Sequence, residues 1–286
     1  MSFTPTTTQI LLLGAGELGT AFLPRLSLIS NTHTTIGVRS PTNQYDIVIS
    51  ATGFGADPST VLKLANEVLD AGRIRQTRGK GKLWFFPWQW GVDYDITGDG
   101  EGLMPLFGAQ KGVRDLLRSS ALSSNVRWTI VSTGIFMSFL FEPFWGMVDR
   151  SHEKGGRTIV RALRDWEHKI TVTDVDDIGR VLGRIVMGDV DADNRVVYVA
   201  GDTVNYGELA SIVRRVTGEE VEREAWGVEY LEEELRKDLE DGIKKYRLVF
   251  ARDGVWWDKE KTVNTELGMS MLSVEECAEK LFSSGG

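Results

Sequence analysis

Apolar residues fall along this chain in two alternating rhythms. Short apolar runs occupy Ile10–Leu13, Thr34–Val38, Asp46–Ser50, Lys82–Pro87 and Trp128–Ser132, and these read as buried parallel strands. Between them the spacing becomes helical. Leu18, Ala21, Phe22 and Leu26 share a face in Glu17–Leu28, and Val61, Leu64, Ala65, Val68 and Leu69 share one in Val61–Ala71. A third helix is expected over Leu106–Ser120. Lys169–Val172, a helix over Asp177–Met187 and Val196–Ala200 are expected to complete the sheet. Strands alternating with helices predict an α/β fold with a doubly wound parallel sheet.

The last third changes character. Tyr206–Thr217 and Glu229–Leu239 are amphipathic helices, while Trp226, Tyr246, Phe250, Trp256 and Trp257 follow no strand rhythm. The expected division is an α/β core over 1–134, continued by 169–200, with a smaller part over 135–168 and 201–286. Two features are unusual. Only seven residues separate Val38 from Asp46, too few for a parallel crossover, so a helix–strand–helix segment is missing and an extended, helix-free link is expected there. Arg73–Lys82 is a basic, glycine-containing stretch that reads as a solvated loop.

Composition narrows the picture. The formal net charge of −8 argues against a general nucleic-acid or membrane-surface binder. The single cysteine, Cys277, forms no intramolecular disulfide, and His33, His152 and His168 are too scattered for a zinc site. Met1–Gln9 is Thr-rich, without the basic and apolar regions of a signal peptide, and no apolar run spans a membrane. A cytoplasmic protein is expected, and a homodimer is compatible with the reading.

The chemistry begins at Gly14-Ala15-Gly16-Glu17-Leu18-Gly19. This G-x-G-x-x-G string follows a strand and opens a helix, the context that makes it a dinucleotide-binding turn. Gly14 allows the turn, Gly16 the close approach of pyrophosphate, and Gly19 the packing of helix on strand. Where an NAD site carries an acid, the second strand here ends in Arg39-Ser40, which suits a 2′-phosphate and hence NADPH. Thr52 and Gly53 end the third strand; Pro87, Trp88, Gln89 and Trp90 end the fourth, at the edge where such sheets bind ligands. Neither Tyr-x-x-x-Lys nor G-x-S-x-G occurs.

With these residues assembled, the chain resembles the NmrA-like, isoflavone-reductase-like atypical short-chain dehydrogenases, and within them a fungal aromatic alcohol reductase branch. The resemblance rests on FPWQWGVDYD (Phe86–Asp95), FGAQKGVRDLLR (Phe107–Arg118), IVSTGIFMSFLF (Ile130–Phe141), TDVDDIG (Thr173–Gly179) and VYVAGDTVNY (Val197–Tyr206). It implies an α/β Rossmann core that binds NADPH, a smaller C-terminal substrate subdomain, and a reductase in secondary metabolism, acting on a ketone or enone of an aromatic or polyketide-derived molecule. The plant reductases carry a lysine in an F-x-x-K-x-x-[IV]-R pattern; Phe107, Val113 and Arg114 match, but Gln110 holds the lysine position. Lys111 lies one residue on, turned about 100° around the helix, and could pair with Asp115 instead. Gln110, Tyr94 and Lys111, in that order, are the candidates for polarising or protonating the substrate oxygen. A family asparagine is replaced by Gly134, which would widen a pocket lined by Phe136, Met137, Phe139, Phe141, Phe144 and Trp145. Two other functions fit the same residues: a non-catalytic dinucleotide-sensing regulator, and an isomerase or cyclase.

Overall fold

The computed structural model describes residues 7–37, 44–53, 57–150 and 157–283. The chain opens with β1 (Thr8–Leu13), α1 (Glu17–Ser27), β2 (Thr32–Gly37), β3 (Ile47–Ser50), α2 (Ser59–Thr77) and β4 (Leu83–Phe86). The one-turn helix α3 (Tyr94–Thr97), α4 (Pro105–Ser120), β5 (Val126–Ser132) and the short β6 (Ile135–Phe136) follow. Next come β7 (Val148–Asp149), β8 (Ile159–Leu163), β9 (Lys169–Thr173), α5 (Val175–Met187), β10 (Arg195–Tyr198) and β11 (Asp202–Asn205). The chain ends with α6 (Tyr206–Thr217), β12 (Glu222–Trp226), α7 (Val228–Lys237), α8 (Gly242–Phe250), α9 (Val263–Glu266) and α10 (Val274–Ser283).

These elements form two compact units. The first takes residues up to Trp90, Pro105–Ser132 and Val175–Tyr198. The second takes Gly91–Met104, Thr133–Asp174 and the chain from Val199 onward. The expected core also takes in 91–104, 133–134, 169–174 and 199–200, which fall in the second unit.

The first unit is built on a six-stranded parallel sheet in the order β10-β5-β4-β3-β1-β2. Ile10, Leu11 and Leu12 are fully buried, as a strand covered on both faces requires. Val61, Ala65, Val68 and Leu69 of α2 and Val113 and Leu117 of α4 pack over Leu11, Val48, Leu83 and Phe85. The chain leaves β1 toward β2 on one side and then crosses to β3 on the other, so the strand order reverses between β1 and β3. Leu13 pairs with Ser50 there, which brings the ends of β1 and β3 side by side. Crevices at such reversals are where open α/β sheets hold their ligands.

Three readings change. Lys169–Thr173 does not join the central sheet; it lies in the second unit, antiparallel to β11 and parallel to β6. An apolar period marks a strand without saying which sheet it enters. Trp226 does end a strand, β12, which pairs with β8. The basic stretch is only partly a solvated loop: α2 runs on to Thr77, and Arg75 is 3% exposed. Its guanidinium donates to the main-chain oxygens of Tyr45 (2.6 Å) and Gly81 (3.1 Å) and to Asp46 Oδ1 (2.8 Å). Asp46 Oδ2 in turn accepts from the Gln9 amide at 2.9 Å. Arg75 thus ties the end of α2 to the starts of β3 and β4. The expected helix-free link after Val38 falls largely on residues 38–43, outside the described residues. β2 is an edge strand among the described strands, as the loss of one strand-and-helix unit requires.

The second unit holds two three-stranded sheets, β11-β9-β6 and β12-β8-β7. Its helix α6 starts with a reciprocal cap, Asn205 Oδ1 accepting from the Glu208 amide (2.7 Å) and Glu208 accepting from the Asn205 amide (2.8 Å). Among the described residues, no helix is long and apolar enough to cross a membrane.

Candidate functional site

The turn between β1 and α1 sorts its three glycines by what surrounds them. Gly14 sits at φ +98°, and a Cβ there would lie 2.7 Å from the Ala51 carbonyl oxygen. A Cβ on Gly19 would lie 2.1 Å from the Gly14 oxygen. Both positions are closed by backbone. Gly16 is the opposite: its φ is −76°, and nothing comes within 4 Å of a Cβ built there. Its glycine leaves room in front of the backbone, while the two flanking glycines let helix and strand meet. Gly16 is also the N-cap of α1, and no side chain caps the helix end among the described residues. The first-turn amides of a helix have no intrahelical acceptor, and the positive end of the helix dipole lies at that open space. Glu17 is exposed in the first turn and Leu18 is buried beneath it. The donors and the space fit the pyrophosphate of a dinucleotide.

Beside this turn, Ser50 and Thr52 hydroxyls meet at 3.2 Å, and Gly53 has open space at its Cβ position. Arg39 and Ser40 lie outside the described residues. Pro87 is buried and Trp88 half-buried at the end of β4. Trp90 is 6% exposed; its indole N–H donates to the Ser50 oxygen at 2.8 Å and its ring meets Phe22 edge-on at 4.7 Å. In the first unit it braces the β3 end against α1.

Gln110 and Lys111 separate as their helix phase requires. Lys111 Nζ lies 2.7 Å from Asp115 Oδ2, with its side chain 40% exposed. Gln110 is 1% exposed and turned toward the β4 loop. Its Nε2 donates to the Trp88 oxygen at 3.1 Å, its main-chain oxygen accepts from Gln89 Nε2 at 2.7 Å, and its Oε1 is buried with no partner. A side-chain amide carries two N–H groups and one oxygen, so Gln110 retains one donor and one acceptor.

A residue that sequence reasoning matched to a motif but did not place in the site is Arg114. It is fully buried one turn beyond Gln110, and it donates to Gln89 Oε1 (2.8 Å) and Ser132 Oγ (3.0 Å). The Trp88–Gln89 loop is therefore held on α4 from three points. Its signal in the sequence is the i, i+4 spacing from Gln110 on an otherwise apolar face.

The second unit holds the other candidates. Tyr94 is 4% exposed, and its hydroxyl lies where a Cβ on Gly91 would come within 2.5 Å. Gly134 sits at φ +71°, with its Cβ position 2.0 Å from the Thr171 oxygen. That contact, rather than room for a ligand, accounts for the glycine. Met137, Phe141 and Trp145 are buried, whereas Phe136 and Phe139 are half-buried and Phe144 is exposed. The last three rings form an edge-to-face ladder with centroids 5.6 and 5.1 Å apart.

Comparison with known proteins places this arrangement in context. The profile of the NmrA-like family matches residues 10–267. An NmrA-like family domain-containing oxidoreductase of Gibberella moniliformis (strain M3125 / FGSC 7600) is 36% identical, over 94% of this chain and 96% of its own. The crystal structure of an isoflavone reductase superposes with a TM-score of 0.73 at 16% identity, covering 96% of this chain and 100% of the other. The binary complex of leucoanthocyanidin reductase with NADPH from Vitis vinifera gives 0.70 at 18% identity, covering 96% and 99%. At such identities the likeness of the two structures carries the fold.

Proposed function

The chain belongs to the NmrA-like family, and on that footing we propose that it is an NADPH-dependent reductase of a ketone or enone on an aromatic or polyketide-derived small molecule. The observation that carries the reading is the open face at Gly16 between the two closed positions Gly14 and Gly19. It is a cradle that any side chain would begin to fill, at the positive end of a helix. Bound NADPH supplies a hydride to the substrate carbon. In this reading Gly14–Gly19 hold the pyrophosphate, Thr52 and Gly53 border it, and Arg39 with Ser40 receives the 2′-phosphate. Pro87, Trp88 and Gln89 form the loop against the cofactor, kept in place by Arg114 and Gln110. Gln110 gives its remaining N–H to the developing oxyanion, and the proton comes from Tyr94 or from water. Lys111, engaged by Asp115, takes no part. An aromatic substrate is supported by the Phe136–Phe139–Phe144 ladder, which presents ring faces and edges to a flat ligand. A place in secondary metabolism and a cytoplasmic location belong to the same proposal.

The test is fluorescence titration with NADPH, followed by NADPH consumption over a panel of aromatic ketones and enones. Saturable binding with turnover on any member is expected; absence of NADPH binding would sink the reading. A second reading, dinucleotide sensing without turnover, draws support from Gln110 standing where the plant reductases carry lysine, with one of its N–H groups already on the Trp88 oxygen. Binding without consumption across the panel would select it.

A further inference from the structure

Away from the glycine turn, the second unit contains a small notch with an unmatched cation. It is lined by Trp226, Tyr230, Leu231, Glu234, Lys244 and Arg247 and holds about 80 Å³. The Trp226 and Tyr230 rings stack at 5.8 Å, inclined by 30°, and form one wall. The Arg247 guanidinium stands 4.9 Å from the Trp226 ring centroid. Buried Leu231 adds an apolar surface.

The charges around the notch do not cancel. Arg161 also sits by Trp226, at 5.0 Å, but it is matched twice, by Glu224 (2.7 Å) and Asp149 (3.1 Å). Lys244 is matched by Glu234, 3.8 Å away. Arg247 has no carboxylate at ion-pair distance among the described residues. It donates from Nε to the Trp145 oxygen (3.0 Å) and from one Nη to the Phe144 oxygen (2.9 Å). A guanidinium carries five N–H groups, so three remain without an acceptor. Burial holds this guanidinium below its ordinary pKa; the nearby Arg161 adds to that and Asp241 opposes it. A half-buried cation without a carboxylate partner is stabilised by an anion that joins it.

We propose that this notch is a binding site for the carboxylate of a small organic acid, received between Arg247 and Lys244 with its flat face on Trp226. The size fits: about 80 Å³ of accessible space admits a carboxylate on a short stem. The charge fits too. Glu234 is already shared by Lys244 and Lys237, which leaves the Arg247 charge to an incoming monoanion, and the Glu234 carboxylate repels a phosphate dianion more strongly. A planar guanidinium binds a carboxylate through two parallel hydrogen bonds. Tyr230, 42% exposed at the notch, offers its ring to whatever the carboxylate carries.

The experiment is an NMR titration of the full chain with acetate, benzoate and inorganic phosphate, following the Trp226 indole N–H, which W226F identifies by its loss. Acetate should shift that resonance saturably, benzoate should bind several-fold more tightly by stacking, and phosphate should bind more weakly than either. R247Q should weaken acetate roughly tenfold or more, since it removes charge-assisted bonds. K244Q, which leaves the Trp145 and Phe144 carbonyls satisfied, should weaken it by a smaller factor and covers the case in which R247Q does not fold. No saturable shift in the parent protein, unchanged affinity in a folded R247Q, or unchanged affinity in K244Q where R247Q does not fold would each overturn the proposal. Tighter binding of phosphate than of acetate would overturn the assignment to carboxylate.

Discussion

Gln110 Nε2 donates to the main-chain oxygen of Trp88 at 3.1 Å, so a helix residue at the reductases' lysine position is anchored to the loop that ends β4. Its neighbour Lys111 is turned onto Asp115 at the surface. Gln110→Ala is therefore expected to lower reduction on the order of 10²–10³-fold, the usual effect of losing one oxyanion donor. Lys111→Ala removes an exposed i, i+4 pair worth roughly 0.2–0.5 kcal/mol and should leave turnover unchanged. Steady-state rates of the two variants check this. An inactive Lys111→Ala beside an active Gln110→Ala would put the catalytic face one residue further along the helix.

The glycines of the turn should respond differently to the same methyl group. Gly16→Ala meets nothing within 4 Å and keeps a φ that alanine accepts, so the protein should melt like the parent. The methyl would stand where pyrophosphate approaches, and NADPH affinity should drop about tenfold or more, each factor of ten being 1.4 kcal/mol. In Gly19→Ala the methyl would lie 2.1 Å from the Gly14 oxygen, and the backbone must move. That variant should lose about 1–3 kcal/mol of stability as well as affinity. Thermal melts with and without NADPH separate the cases. A destabilised Gly16→Ala would show that its open face is needed by the fold itself.

Those glycines were legible because each one answers a local demand that the strand–turn–helix context exposes. The central sheet was legible for the same reason: unbroken apolar runs between helical periods leave few alternatives. Lys169–Thr173 was not, because its apolar residues suit either sheet and only the long-range pairing with β11 decides. Arg75 was hidden in a basic stretch; its burial comes from Tyr45, Asp46 and Gly81, two of them about thirty residues away. Gly134 misled for a related reason. Its glycine is demanded by the Thr171 backbone, a contact invisible in the local pattern.

In the proposed reading, cofactor choice rests on Arg39, where an NAD site carries an acid. NADPH should bind more tightly than NADH, and Arg39→Ala should erase most of the difference. Loss of charge-assisted contacts to the 2′-phosphate is worth about 1.5–3 kcal/mol. Fluorescence titrations of both nucleotides on both proteins give the answer, and equal affinities in the parent would refute the assignment.

Arg75 should matter to the fold and not to the chemistry. Arg75→Met keeps the bulk but removes the guanidinium donors from the Tyr45 and Gly81 oxygens and from Asp46 Oδ1. Asp46 keeps the Gln9 amide and the Gly81 oxygen keeps Asn125 Nδ2 at 3.4 Å, so most of the loss comes from the buried Tyr45 carbonyl and the broken ion pair. A drop of about 2–4 kcal/mol in urea unfolding is expected, with NADPH affinity kept below the transition. A loss below about 0.5 kcal/mol, the range of ordinary surface substitutions, would return Arg75 to the solvated-loop reading.

The last prediction concerns acid stability through His168. This residue is 6% exposed in the second unit, its Nε2 lies 2.8 Å from the Phe250 oxygen, and its ring stacks near Tyr206 at 6.3 Å. Burial is the largest influence and lowers its pKa; the bond to Phe250 and the charges of Asp165 and Asp253 pull the other way, and Arg164 reinforces the lowering. An unfolded histidine titrates near about 6.5. The unfolded chain therefore takes up a proton at a pH where the folded protein does not. The sign follows from linkage: His168 leaves stability intact above the unfolded value and erodes it as pH falls from there toward the lower folded value. His168→Gln can keep an N–H on the Phe250 oxygen without titrating. Urea midpoints measured from pH 8 to 5 should decline less steeply in His168→Gln than in the parent. Parallel curves would mean that His168 is protonated as readily in the fold as out of it, and that the acid limb belongs to other groups.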